Sequence, residues 1–350
     1  MFKKPLNILI LAIIVAAVAF GLYQILRGFP FFAPDRSHLK EPKRIGIIFP
    51  RQHIEAVQGF KEGFKNMGYA EVSFEDKGVF TSSPTLPLDI ENSARELIQG
   101  KVDLIFATQE NIALAALEIE KETGSDIPIV FSSRFHDPVA YGVIKSFKSS
   151  GNNATGISIN LVEVVQKHLE FLRAINPAIK KIGVFGSGFV VPDVGDKFLE
   201  EVKNQGKKQG FDIVEYKTTA APPGAESAWY QTASKIKAGD IDAIYHIAGH
   251  FFEAQETAET ELASRLRIPM VAPLEDLPTG GHFGYAGDLT ASGEQASRIA
   301  DKIFGGAKPS DIPIDFEEKN ILVLYTKRAI DDGIVFPDSM ARIANVKIEK

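Results

Sequence analysis

From Lys43 onward, the chain alternates short runs rich in β-branched residues with longer segments that carry an apolar stripe. Residues 44–50 are such a run, and Ile54, Val57 and Phe60 begin a stripe at three-residue spacing. The run predicts a buried strand, and the stripe predicts an amphipathic helix. Strands separated by helices form βαβ units, which build parallel sheets covered by helices on both faces. The alternation therefore predicts an α/β fold of doubly wound parallel sheets.

This alternation runs in two series that meet near residues 157–165, so the sequence predicts two lobes. A chain of 350 residues is long enough for two domains of ordinary size, and 45% of its residues are hydrophobic. No glycine-rich linker separates the two series. We therefore expect the lobes to lie close together and to be joined by a hinge.

The first 27 residues have a different character. Lys3 and Lys4 precede an apolar run at residues 6–26, which as a helix would span about 31 Å, the thickness of a bilayer core. The segment predicts either a transmembrane anchor or a signal peptide cleaved near the small residues 17–19. Residues 28–42 contain three prolines and no periodicity, and we interpret them as a linker. Both interpretations place the remaining chain on the extracytoplasmic face of the cell membrane, because lysines before a span favour a cytoplasmic N-terminus.

The charge of the exported part argues against nucleic acid as a partner. Residues 1–27 contain three basic residues and no acid, so the remainder carries 36 basic and 45 acidic residues, a net charge of −9. A surface that binds nucleic acid needs the opposite sign. The chain also has no cysteine, which excludes disulfides, thiolate metal sites and cysteine nucleophiles.

Motifs for catalysis and for cofactor binding are missing. Gly186 and Gly188 begin a G-x-G pattern after a strand, but Val191 stands where a dinucleotide fingerprint has its third glycine. The sequence contains no G-x-x-x-x-G-K-[ST] phosphate loop and no G-x-S-x-G nucleophile elbow. His246 lies in a predicted strand and His250 beyond it, so they do not share a helical face as paired metal ligands would. We expect no metal site, no cofactor and no enzyme activity.

Polar and aromatic residues instead follow directly after predicted strands in both series. In open parallel sheets, ligands bind outside the carboxyl ends of the strands, where helix N-termini also present free N–H groups. Two such edges that face one another would form a clamp. The candidate ligand-binding residues are Arg51, Gln109, Ser133, Arg134, Asp137, Ser187, Phe189, His250, Phe251, Glu275 and Asp288.

The chemistry of these candidates suits a small charged solute. Arg51 or Arg134 can pair with a carboxylate, and an acid such as Asp137 can accept hydrogen bonds from an amine. The aromatic rings of Phe189 and Phe251 can stack on a flat solute. For Asp137, which precedes a proline, the sequence leaves two roles open: it caps the following turn or helix, or it contacts the ligand.

The segment at residues 128–158, PIVFSSRFHDPVAYGVIKSFKSSGNNATGIS, resembles a hallmark of one family of substrate-binding proteins of ABC importers. That family includes tryptophan- and tyrosine-type binding proteins, and its pattern combines an apolar strand, Asp-Pro-Val and Gly-Gly-Asn-x-Thr-Gly. Residues 168–185, 294–314 and 329–349 resemble further parts of the family in the same order. Departures fall at the expected cleft loops, residues 186–192, 249–252 and 287–289, and no lipoprotein cysteine follows the apolar run.

The resemblance implies the type I periplasmic-binding fold, in which three crossovers connect two lobes that close around a ligand. On this basis we assign residues 43–157 and 291–319 to lobe one, and residues 158–290 and 320–350 to lobe two. The implied function is the solute-binding component of an ABC importer, with a permease and its ATPase as partners. We expect a small solute such as an amino acid or a related zwitterion. The alternative is a membrane-anchored sensor that passes its closed state to a signalling partner.

Overall fold

The computed structural model describes residues 37–80, 85–134, 137–185, 192–217, 226–247, 253–274, 277–278 and 280–349. Its strands in these ranges are β1 Lys43–Pro50, β2 Val72–Val79, β3 Leu104–Ala107, β4 Ile129–Ser133, β5 Ala154–Ser158, β6 Lys181–Phe185, β7 Asp212–Tyr216, β8 Ala243–Tyr245, β9 Met270–Val271, β10 Phe283–Gly287, β11 Asp315–Phe316, β12 Asn320–Tyr325 and β13 Val346–Ile348. Its α-helices there are α1 Ile54–Met67, α2 Leu86–Gln99, α3 Glu110–Thr123, α4 Leu161–Ile175, α5 Pro192–Gln209, α6 Glu226–Lys235, α7 Glu253–Leu266, α8 Leu289–Phe304, α9 Thr326–Asp331 and α10 Asp338–Ile343.

The strands form two sheets, one in each lobe. The order in the first sheet is β11-β5-β4-β3-β1-β2, and the order in the second is β13-β12-β10-β9-β8-β6-β7. The predicted α/β class with two parallel-sheet lobes is confirmed. One pair departs from it, because β12 runs antiparallel to β10. β12 follows β11 with no helix between them. It therefore starts beside the carboxyl end of β10, at the hinge, and runs in the direction opposite to β10.

Each sheet is buried on both faces, as a parallel sheet requires. In lobe one, α1 and α8 cover one face, with Phe60 and Ile299 in a shared core, and α2 and α3 cover the other. In lobe two, α4 and α5 pack on one face and α6 and α7 on the other. The helices α1 and α8 approach each other closely at Gly59 and Gly293. A Cβ added to Gly59 would lie only 2.1 Å from Thr290 O, and a Cβ added to Gly293 would lie only 2.0 Å from Ala56 O.

Three crossovers connect the lobes. The first leads from β5 of lobe one through residues 159–160 into α4, and the second leads from β10 of lobe two through Asp288 into α8. The third joins β11 to β12 through residues 317–319. The limits of the two lobes assigned from the sequence stay a prediction.

The segment that precedes the first strand is only partly described. Residues 1–36, with the predicted anchor or signal peptide, lie outside the described residues. In the described part of the chain, no helix is both long and apolar enough to cross a membrane. Ser37–Lys40, predicted as part of a linker, form a 3₁₀ turn, and His38 Nε2 lies 2.9 Å from the carboxylate of Asp301. The end of the linker is therefore held against lobe one.

Candidate ligand-binding cleft

The carboxyl ends of the parallel strands lie beside the hinge in both lobes. β5 and β10 each lead directly into a crossover from their carboxyl ends, and so does β11. The two sheet edges predicted to hold the ligand therefore flank the same space between the lobes. This arrangement follows from the topology and does not depend on any one side chain.

A cavity of about 330 Å³ lies between the lobes at this hinge. Lobe one contributes Asp137, Tyr141 and Phe147 to its lining, together with Ser158 and Phe316 at the ends of β5 and β11, and the first crossover contributes residues 159–160. Lobe two contributes side chains of α4 and α5. Its volume falls at the lower end of the range of roughly 300–1,000 Å³ that is usual for small-molecule sites. We call this space the interlobe cavity.

Among the candidate residues that the structure describes, Asp137 is the one that lines the interlobe cavity. Its Oδ1 accepts hydrogen bonds from the backbone N–H groups of Val139, at 2.8 Å, and Ala140, at 3.3 Å. The capping role that the sequence left open is therefore present. Its Oδ2 has no hydrogen-bond partner among the described residues, and the side chain is exposed. The same carboxylate can cap the turn with one oxygen and contact a ligand with the other.

Lys197 of α5 reaches across the cavity from lobe two. Its Nζ donates a hydrogen bond of 2.8 Å to the main-chain oxygen of Ala140 in lobe one. One turn further along α5, the acid Glu201 also lines the cavity. The cavity thus contains an acid from lobe one, together with a cation and a second acid from lobe two.

The aromatic rings that line the cavity come from both lobes, and one of them, that of Phe316, lies directly before the third crossover. Phe147 and Phe316 pack together with ring centroids 5.3 Å apart, and Phe198 of α5 lies on the other side. Burial, followed by the charges of Glu110 and Glu118, raises the pKa of Tyr141 to about 12. Its phenol therefore stays protonated and can donate a hydrogen bond in the cavity.

Three other candidates of lobe one lie at strand ends but do not line the interlobe cavity. Arg51 is exposed beyond β1, and its guanidinium carbon lies 4.2 Å from the ring centroid of Phe80. Gln109 is half-buried and directly precedes α3, and Ser133 is fully buried at the end of β4. Because β1 and β3 lie farther from the crossover strands than β4 does, Arg51 and Gln109 lie farther from the hinge than Asp137 does.

Arg134 and Asp288 make their contacts within the hinge. The guanidinium of Arg134 forms an ion pair with Glu317, with Nη1 and Oε1 2.7 Å apart. Asp288 caps α8 by accepting from Ala291 N–H and pairs with Lys319 at 2.5 Å. Burial would raise the pKa of Asp288, but the ammonium of Lys319 and the backbone N–H groups hold the pKa below its usual range. Their predicted contacts with a ligand stay predictions.

The remaining candidates lie outside the described residues. They are Ser187, Phe189, His250, Phe251 and Glu275. All five follow strands of the second sheet and were predicted to form the rim of the cleft in lobe two. Their roles as ligand contacts stay predictions.

Sequence reasoning missed Lys197, Tyr141 and Phe316. Lys197 lies on a helix with many charged residues, where a lysine indicates a solvated face. Phe316 lies in a two-residue strand that has no sequence signature of its own. Residues 158–160 and 316 lie in or directly beside the first and third crossovers, and the crossovers of this fold flank the cleft. Their place next to a crossover could therefore have indicated that they line the cavity.

The described ranges contain no group of three or more His, Asp or Glu side chains that could hold a metal ion. His246 is buried at the end of β8, and its Nδ1 contacts the carboxylate of Glu259 in α7. This agrees with the interpretation of His246 as a satisfied histidine rather than a metal ligand.

Two α/β lobes with parallel sheets, three crossovers and a cavity between them define the class of two-lobe periplasmic-binding proteins. The chain belongs to the ABC transporter substrate binding protein family, whose model matches residues 47–348. It is therefore a solute-binding component of an ABC transporter and not an enzyme, and the family resemblance noted in the sequence is confirmed.

Individual relatives agree with this assignment. The chain is 25% identical to a tyrosine-binding protein of Clostridioides difficile over 339 residues, which cover 94% of this chain and 92% of that protein. Its fold is similar to that of a Streptococcus pneumoniae ABC domain in complex with L-Trp, with a TM-score of 0.71, 20% identity and coverage of 88% and 100% of the two chains. It is also similar to a ligand-free, open substrate-binding protein from Clostridium difficile, with a TM-score of 0.69, 23% identity and coverage of 87% and 98%.

Proposed function

We propose that this chain binds an amino acid or a closely related zwitterion with an aromatic or large apolar side chain. The two lobes close around the solute, because contacts from both lobes stabilise the closed state over the open one. The closed protein then delivers the solute to its ABC permease at the extracytoplasmic face of the membrane. In this proposal residues 6–26 either tether the protein or direct its export.

The observation that carries the proposal is the presence of opposite charges, one from each lobe, in the lining of an aromatic cavity. Asp137 of lobe one can accept from the ammonium group of a zwitterion. Lys197 of lobe two can exchange its neutral partner, the oxygen of Ala140, for the carboxylate of the solute. The rings of Phe147, Phe198 and Phe316 offer apolar surface to the side chain of the solute.

The named ligands of the relatives support the same class of solute. One relative is a tyrosine-binding protein, and another structure holds L-Trp. The cleft loops of this chain depart from the family pattern at residues 186–192 and 249–252. We therefore propose the class of solute from the cavity and leave the choice among its members to a binding experiment.

Thermal-shift measurements with the purified exported part test the proposal. The panel contains L-Trp, L-Tyr, L-Phe, L-Leu and L-Glu, together with the N-acetyl and amide derivatives of the first four. A solute at about 100 times its Kd adds roughly 2.7 kcal/mol to stability, so a member that binds raises the melting temperature clearly. We expect an aromatic or large apolar amino acid to bind, and both of its derivatives to lose the effect.

Two results would overturn this proposal. In the first, no zwitterion of the panel changes the melting temperature. In the second, the N-acetyl and amide derivatives bind as tightly as the free amino acid. This would show that the protein does not recognise the ammonium and carboxylate groups of the solute. Isothermal titration then measures the Kd of each member that binds.

A further inference from the structure

The hinge contains a buried ion pair that the solute site does not use directly. Arg134 follows β4 in lobe one, Glu317 lies in the third crossover, and 183 residues separate them along the chain. Their side chains are each only 2% exposed, and the charged atoms are 2.7 Å apart. Arg134 Nη1 also donates to Gly287 O, at the end of β10 and directly before the second crossover, at 3.3 Å.

Glu317 connects the remaining parts of the hinge. Its Oε1 accepts from the hydroxyl of Ser292, in α8, at 2.9 Å. Its backbone N–H donates to Ser158 O, at the start of the first crossover, at 3.1 Å. Its carboxylate also packs against Gly287, where an added Cβ would lie 2.0 Å from Oε2. Arg134 and Glu317 thus contact residues in or directly beside all three crossovers, and we call these two residues the hinge pair.

A buried ion pair restricts the arrangements that the surrounding backbone can adopt. A rotation of the lobes that moves Gly287 or the third crossover away from Arg134 takes contacts from a buried charge, which is strongly unfavourable. An apolar contact of the same size tolerates sliding, because dispersion is not directional. The hinge pair therefore favours the lobe arrangement in which both partners keep their contacts.

The hinge pair also adjoins the interlobe cavity along the chain. Arg134 precedes Asp137 by three residues, and the backbone N–H of Arg134 donates to Glu110 at the start of α3. Glu317 directly follows Phe316, whose ring lines the cavity. Neither member of the pair lines the cavity itself. A substitution in the hinge pair would therefore change the affinity for the solute through the relative position of the two lobes and not through a direct contact.

We propose that Arg134 and Glu317 are positioning residues for solute binding, which set the angle between the lobes in the unliganded protein. This angle sets the distance between Lys197 of lobe two and Asp137 of lobe one, the two charged residues that we propose to contact the solute. This inference goes beyond the proposed function, since it concerns the hinge and holds for any solute.

Electron–electron distance measurements on spin labels test the proposal without any solute. The protein has no cysteine, so cysteines introduced at Glu55 in lobe one and Asn204 in lobe two, both exposed, are the only labelled positions. We expect one main distance in the unsubstituted protein. In Glu317→Gln, which keeps the shape of the side chain and removes its charge, we expect a second distance in at least about 10% of the molecules.

Asp332→Asn is the matched control. Asp332 pairs with the buried His282 at 2.9 Å and accepts from Ser264, but all three residues lie in lobe two. The control should lower the melting temperature and leave the distance distribution unchanged. If Glu317→Gln lowers the melting temperature with an unchanged distribution, the hinge pair only stabilises the fold and the proposal is wrong.

A milder variant keeps the test decisive if Glu317→Gln does not fold. Ser292→Ala removes one hydrogen bond to Glu317 and leaves the ion pair in place. We expect a smaller second population in the same direction. An unchanged distribution in Ser292→Ala, when Glu317→Gln is unfolded, would overturn the proposal.

Discussion

The Nζ of Lys197 in lobe two lies 2.8 Å from the main-chain oxygen of Ala140 in lobe one, across the interlobe cavity. The bond joins a flexible, exposed cation to a turn that the carboxylate of Asp137 holds in place. A neutral carbonyl is a weaker partner for an ammonium group than a carboxylate is. Lys197 is therefore well placed to exchange this oxygen for the carboxylate of a solute when the lobes close.

Lys197→Met should weaken solute binding, because it keeps the aliphatic stem and removes the ammonium group. A hydrogen bond between charged groups contributes about 1.5–3 kcal/mol, so we expect the Kd to rise by at least roughly tenfold. Isothermal titration with the best solute of the panel measures the change. Lys203→Met is the matched control, because Lys203 lies on the same helix and pairs with Glu215 instead. Equal Kd values for both variants would contradict the role of Lys197.

Two substitutions at Asp137 should separate its capping role from its ligand contact. Asn caps a turn about as well as Asp, so Asp137→Asn should keep the melting temperature of the unliganded protein and lose most of the increase caused by the solute. Asp137→Ala should in addition destabilise the unliganded protein by about 1 kcal/mol. Thermal-shift curves with and without solute measure both effects. A full solute effect in Asp137→Asn would show that its charge does not contact the ligand.

Glu120 near the end of α3 should make stability depend on pH. Burial raises the pKa of Glu120 to about 7, although the side-chain hydrogen bond from Asn153 acts in the opposite direction. The folded protein therefore holds this proton up to a higher pH than the unfolded chain does, and stability from this group is lost as the pH rises from about 4.5 to 7. Glu120→Gln removes the loss, because the amide stays neutral and its oxygen can still accept from Asn153.

Urea denaturation at pH 5 and pH 8 measures the effect of Glu120→Gln. The variant should exceed the original protein by much more at pH 8 than at pH 5, because the difference grows by up to about 1.4 kcal/mol per pH unit until about pH 7. Glu122→Gln serves as the control, because this acid lies on the same helix, is exposed and pairs with Arg95. A difference that is the same at both pH values would count against the raised pKa of Glu120.

His168 of α4 should remain neutral in the folded protein far below its usual pKa. Its Nε2 accepts from Tyr285 N–H at 3.0 Å, so the single proton of the neutral ring lies on Nδ1, which lies 2.7 Å from the hydroxyl of Tyr245. Burial lowers the pKa of His168 to about 3. The unfolded chain takes up this proton below about pH 6.5, so the stability contributed by His168 is lost as the pH falls from there.

Nitrogen-15 NMR of the imidazole rings tests this expectation directly. The His168 ring should keep the shifts of the neutral Nδ1–H form from pH 8 to pH 5, while the free energy of unfolding declines through this group by up to about 1.4 kcal/mol per pH unit. His168→Gln identifies the resonance by its loss. A midpoint near pH 6.5 in the folded protein would refute the prediction.

Much of the architecture could be predicted because its signals are local. The spacing of Ile54, Val57 and Phe60 defines one helical face before any packing is known, and the β-branched runs define the strands. Alternation of the two then predicts parallel sheets whose carboxyl edges hold the ligand. The antiparallel strand β12 was not predicted, because its direction depends on where the third crossover enters lobe two.

The sequence could predict the sheet edge at which the candidate site lies, but it could not predict which residues its charged side chains contact. Arg134 and Asp137 both follow β4, and the sequence presents both as charged residues beyond a strand. Only the folded chain shows that Arg134 meets Glu317, 183 residues away, while Asp137 lines the interlobe cavity. Lys197 gains its place in the same way, through a partner 57 residues distant in the other lobe.

The amino-acid sequence by itself determined the elements, the division into two series and the sheet edges at which we predict a solute to bind, because spacing and hydrophobicity act over a few residues. The tertiary structure decided which charged side chains face the cavity and which are buried in the hinge. The reason is physical: the role of a charge depends on its partner and its distance from water, and residues remote in the chain supply both.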